Sequence, residues 1–129
     1  MSDDLRLRTA LALGWVLVDF GPREGGGRWE RYEWLDTGLV RYIDYRQDGS
    51  ASLGGMMALP LYGTTWASCE EIDAAIKERE WTYRHESFGN GDMVVIDPGI
   101  AAGRYSVADA PTFPEAFAEA FCWAAEGEP

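Results

Sequence analysis

The sequence predicts an α+β class. A mostly antiparallel sheet of five to six strands carries packed helices, in the order α-β-β-β-α-β-β-β-α, with residues 1–129 as a single domain. Three stretches lead to this expectation. Residues 112–124 spell out an amphipathic helix with its own start signal. Residues 15–46 alternate aromatic and polar side chains between turn residues, the pattern of a three-strand meander. Residues 81–97 form two short runs around Gly89-Asn90-Gly91-Asp92, the pattern of a hairpin.

The elements follow in chain order. Ser2 can cap a first helix, with Asp3 and Asp4 in the first turn, where negative charge suits the helix dipole. Leu7, Ala10 and Leu11 share a face with Gly14, a natural C-terminal stop. Residues 15–20 read as a strand, and Gly25-Gly26-Gly27 lies in a loop. In the second strand Glu30, Tyr32 and Trp34 alternate with Trp29, Arg31 and Leu35. Asp36-Thr37-Gly38 turns the chain into a third strand over 39–46.

Residues 47–63 are irregular. Met56, Met57, Leu59 and Leu61 are too apolar for a free loop and are expected on the core. A second helix starts near Thr64 or Thr65, or at a Ser68…Glu71 capping box, and ends about Glu80. Its apolar face is Cys69, Ile72, Ala75 and Ile76. Strands over 81–88, 93–97 and 105–108 follow, with a loop over 98–104. In the last helix Thr112 and Glu115 form a capping box, and Pro114 sits in the first turn, where its missing N–H costs nothing. Phe113, Ala116, Phe117, Ala120, Phe121 and Ala124 make a continuous stripe that must cover something, and a sheet is expected beneath it.

A chain of 129 residues can bury a core without metal or disulfide staples. It has no run of 18 apolar residues and no basic, apolar leader, so a cytoplasmic protein is expected, with no membrane partner. Cys69 and Cys122 have no metal spacing and are expected as buried thiols. There are 22 acidic residues against 11 basic, and from Cys69 onward 13 against four. Direct nucleic-acid binding by that half is therefore not expected, because phosphate calls for positive surface. A solvated acidic face and a docking surface for a basic protein are both compatible with the balance.

No catalytic constellation emerges. His85 is the only histidine; it shares a strand face with Trp81 and Tyr83, as a half-exposed structural residue or a lone general base. Gly25-Gly26-Gly27 lacks the Lys-Ser/Thr ending of a phosphate cradle. Asp92 and Asp97 bracket a strand, about 16 Å apart at strand rise, and cannot chelate an ion together. Neither an enzyme, a metal site nor a cofactor is expected.

Two segments together resemble the phage ABA sandwich family, small domains of tailed phages and prophages. Leu61-Tyr62-Gly63-Thr64-Thr65-Trp66-Ala67-Ser68, running into Ile72 and Ile76, is similar to that family's Tyr-Ser-Thr-Asp helix start. Thr112-Phe113-Pro114-Glu115-Ala116-Phe117 is similar to its last helix, and Leu11-Ala12-Leu13-Gly14-Trp15 to its first. The chain departs at Gly63 and Thr65, where the family has Ser and Asp. The resemblance implies a fold and a phage origin, and no reaction.

The expected function is binding. The leading expectation is a phage accessory protein that inhibits a host defence protein, anti-CRISPR-like, with acidic side chains standing in for phosphates. Glu70, Glu71, Asp73, Glu78 and Glu80 around the second helix are its expected contacts with a basic host protein. The alternative is a small-molecule binder that sequesters a nucleotide signal through Trp34, Arg41 and Tyr42 in the meander. A third possibility is a virion or assembly component without a ligand.

Overall fold

The computed structural model describes residues 2–35, 37–51, 57–99 and 105–126. The class and element order are those expected: α1 (Ser2–Leu13), β1 (Trp15–Pro22), β2 (Arg28–Trp34), β3 (Leu39–Tyr45), α2 (Trp66–Glu78), β4 (Thr82–Phe88), β5 (Gly91–Asp97), β6 (Ser106–Ala110) and α3 (Phe113–Glu126). The expectation of a sheet of five to six strands needs correction. The six strands form two antiparallel sheets of three, β1-β2-β3 and β4-β5-β6. Each sheet joins strands that follow directly in sequence, whereas β3 and β4 are separated by a long connection that contains α2.

The chain divides into two compact units. One, the layered unit, holds residues 1–13 and 61–129; the other, the meander unit, holds 14–60. In the layered unit α3 lies on one face of β4-β5-β6. Its expected stripe is buried throughout, from Phe113 to Ala124. Beneath it β5 contributes Val94 and Ile96, and β6 contributes Ala108 and Ala110. The Thr112 hydroxyl accepts from the Glu115 amide at 3.4 Å, the first half of the expected capping box. Ser106 donates to the Ala120 carbonyl at 2.7 Å, so the one hydroxyl beneath the helix is satisfied.

α1 packs on α3 through a face other than the one expected. Leu5, Arg6, Thr9, Ala10 and Leu13 are buried, and Leu11 is half exposed. Thr9 can go inside because its hydroxyl is used twice, donating to the Leu5 carbonyl at 2.7 Å and lying 3.3 Å from Cys122 Sγ. The side chains of Ser2, Asp3 and Asp4 lie outside the described residues.

Thr65 is the N-cap of α2, its hydroxyl accepting from the Ser68 amide at 3.3 Å. Thr there does the work expected of Asp. Gly63, two residues before it, has φ 84°, a conformation in which any larger residue is strained, and an added Cβ would press on the end of the Leu5 side chain of α1 at 2.8 Å. The helix ends at Glu78, two residues earlier than expected. Trp81 N–H bonds the Ile76 carbonyl and Glu80 N–H the Lys77 carbonyl, a Schellman closure. It places Glu80 at φ 61°, a conformation that favours glycine.

In the meander unit β1 and β2 pair from Trp15↔Trp34 to Pro22↔Arg28, with a bulge between Leu17 and Asp19. Gly27 has φ 88°, and a Cβ would meet the Tyr45 carbonyl oxygen at 2.0 Å. Tyr32, Ile43 and Leu59 are buried here, and the Leu59 amide donates to Tyr42 along the edge of β3. Met57 is exposed, against expectation, because its backbone carbonyl rather than its side chain meets β3. Met56, Asp36 and most of the loop before β6 lie outside the described residues.

Candidate functional site

The five carboxylates expected at a partner surface do not form one set. Glu70 and Glu78 on α2 and Glu80 just after it are exposed. Glu71 instead accepts from the Tyr62 hydroxyl at 3.0 Å, and Tyr62 is fully buried. Asp73 accepts from Lys77 Nζ at 2.9 Å and from the Tyr83 hydroxyl at 3.0 Å. Lys77, then Tyr83, hold its carboxyl below the ordinary carboxylate range. Burial, then Asp73, push the Tyr83 phenol up. Glu71 and Asp73 therefore tie α2 to its surroundings, and Glu70, Glu78 and Glu80 remain as outward charge.

The alternative ligand site is split by strand alternation. Trp34 and Arg41 lie on one face of the meander, and Tyr42, the next residue on β3, lies on the other. Tyr42 packs edge-on against Trp29 with ring centroids 6.4 Å apart, while Trp34 meets Trp15 at 5.2 Å. Arg41 turns back to the Val40 carbonyl at 2.8 Å. Tyr32 donates to Glu30 at 2.8 Å; burial, then that carboxylate, push its phenol well above the ordinary range. A single pocket lined by Trp34, Arg41 and Tyr42 is not formed.

His85 has partners that the sequence reading missed. Its Nε2 lies 2.6 Å from Asp92 Oδ1, and Ser87 Oγ donates to the same oxygen at 2.6 Å. The Ser87 bond, then His85, hold the Asp92 carboxyl low. The residue types are those of a hydrolase triad, but the geometry is not. Ser87 gives its proton to the carboxylate rather than to the imidazole, 3.5 Å away, and the same ring nitrogen faces both. The imidazole also packs on Phe113, 4.4 Å between centroids, so the cluster pins the start of α3 to β4. The strand register His85↔Val94 and Ser87↔Asp92 was the available signal, since it puts all three on one face.

Both cysteines are buried free thiols, as expected. Burial raises both, Cys69 from its ordinary 9.0 to about 11. Among the described residues no three His, Cys, Asp or Glu side chains gather as metal ligands, and no helix is long and apolar enough to cross a membrane.

A second surface was missed. The face of β4-β5-β6 opposite α3 carries a depression of about 620 Å³ lined by Arg84, Met93, Val95, Asp97, Tyr105 and Val107, among others. The unbroken apolar run Met93-Val94-Val95-Ile96 was its signal, because a strand with one wet face alternates.

Comparison with protein families, with curated proteins and with solved structures finds no match to this chain.

Proposed function

We propose that this chain acts by binding, through the acidic surface of its layered unit, to a partner protein with a basic surface. One observation carries the reading: charge is unevenly placed. The layered unit holds 15 of the 22 acidic residues and six of the 11 basic ones, a net of −9, whereas the meander unit is at −2. Most of the layered unit's cations are also turned to internal use. Arg8 pairs with Glu126 at 3.1 Å, Lys77 with Asp73, and Arg6 is buried. Arg79 donates to the Ala75 and Ala12 carbonyls and lies over the Trp81 and Phe121 rings. Glu70, Glu78 and Glu80 stay outside, where they can steer a cationic partner.

The finer form of the proposal is a phage or prophage accessory protein in the host cytoplasm. It occupies the nucleic-acid surface of a host defence protein with carboxylates in place of phosphates, an anti-CRISPR-like inhibitor. The likeness to the phage ABA sandwich family supports the origin.

The test is capture from host lysate at low and high salt, followed by binding kinetics with the captured protein. Salt shortens the reach of surface charge to about 8 Å at physiological strength, so binding should weaken as salt rises. Glu70→Lys with Glu78→Lys should lower the association rate more than it raises the dissociation rate. Asp3→Lys with Asp4→Lys should do much less. Equal effects from both pairs would point to net charge alone, and no effect from either would sink the proposal.

A further inference from the structure

We propose that the open face of β4-β5-β6 docks a protein segment with an apolar centre and a basic rim. The proposal rests on the binding reading above and names the surface the partner uses. α3 covers one face of this sheet and buries Val94 and Ile96 completely. The central strand β5 is nonetheless apolar on both sides, since Met93 and Val95 point away from α3. Antiparallel strands with one wet face carry polar residues there; a run apolar on both sides is the pattern of a strand covered twice. Tyr105 is 67 % exposed and Val107 43 %, beside Val95.

The charge on this face selects the occupant. Strand register sets Glu86, Met93 and Asp109 in one row and Arg84, Val95 and Val107 in the next. Two carboxylates thus straddle Met93, about 10 Å apart at ordinary strand spacing. Asp97 adds a third along β5. Among the described residues, Arg84 is the one cation placed with them on this face. A segment that lays an apolar side chain on Met93 and Val95 brings its flanking residues over Glu86 and Asp109, where Lys or Arg is favoured. A second copy of the chain is a poor fit, because it would set a unit of net charge −9 against another.

The test uses the full chain and three short synthetic peptides that alternate Lys with Leu, Lys with Ser, and Glu with Leu. Affinity is read by titration, and the site by backbone amide shifts. The Lys–Leu peptide should bind with shifts in β4, β5 and β6, and the other two should bind at least about tenfold more weakly. Tyr105→Ser and Val107→Glu should each weaken the Lys–Leu peptide by about tenfold. Tyr105 is exposed enough that the first variant keeps the fold, which its unchanged amide spectrum elsewhere verifies. Equal binding of Lys–Ser, with shifts on α2, overturns the open-face proposal and leaves the acidic reading standing. Equal binding of Glu–Leu removes the basic rim and overturns it. Failure of both Lys peptides overturns the two together. A dimer in sedimentation that Tyr105→Ser abolishes makes the occupant a second copy, and overturns it as well.

Discussion

The two three-stranded sheets solve the same problem differently. The sheet of the layered unit is closed on one side by α3, whose Phe and Ala side chains fit over Val94, Ile96 and Ala108. Among the described residues, the meander unit has no helix of its own. Large rings serve instead: Tyr32 is buried, Trp15 and Trp34 meet edge to face, and the Arg28 guanidinium sits 4.0 Å above the Tyr45 ring. Sequence reflects this division of labour. Three of the six Trp and three of the six Tyr fall in the 47 residues of the meander unit, while the central strand of the helix-covered sheet buries Val94 and Ile96. A sheet stabilised by rings can be near neutral. In the layered unit the helices carry most of the charged residues, and the unit as a whole has a net of −9.

The largest expected effect tests the helix-covered sheet. Phe117 is 1 % exposed, stacks on Phe113 and meets the tilted Tyr83 ring. Phe117→Ala should cost about 3–5 kcal/mol in chemical denaturation, as deletions of buried rings do. A loss below about 1 kcal/mol would break the contrast, because α3 would then not be the lid of its sheet.

For the meander, the critical position is a turn rather than a ring. Gly27→Ala forces a side chain into the Tyr45 carbonyl at a positive φ. It should cost about 1–3 kcal/mol from backbone strain. Amide exchange should show the loss in β2 and β3, and full protection there would mean that this hairpin is not closed as described.

A gain is expected at the end of α2. Glu80→Gly removes the penalty of a side chain at φ 61° and should raise stability by about 1 kcal/mol. The same variant removes one of the three outward carboxylates. A higher melting temperature with slower association would separate the fold's interest in this residue from the partner's.

The smallest effect concerns pH. Cys69 has a raised value in the fold, so the stability it contributes is present below its ordinary 9.0 and is lost as pH rises through about 11. Compared with Cys69→Ala, the unaltered chain should lose stability across that window; equal profiles would mean that the thiol is open to water.

Much of this fold was legible in the sequence. The stripe of α3, the turn at Gly89 and Asn90, and the start of α2 as one of three caps, of which Thr65 is the one used, are local patterns, and local patterns survive folding. The face of α1 was misread because pattern reading sends Thr and Arg outward. Thr9 goes inward by bonding its own helix, which depends on a contact rather than a propensity. Glu71 and Asp73 looked like free charge because their partners, Tyr62 and Tyr83, come from outside the helix. Arg41 and Tyr42 are a different case. They are adjacent on a strand, so alternation alone already separates them.

β4 has a consequence for how this chain behaves when crowded. All seven of its residues are exposed, and among the described residues it pairs on one side only, with β5. Such a border offers a ready template for chains to add to one another into fibrils. Arg84 and Glu86 stand in the middle of it on the open face, so a neighbouring chain that added there would have to strip water from both charges. Chains that lack these two residues are expected to come out of solution first.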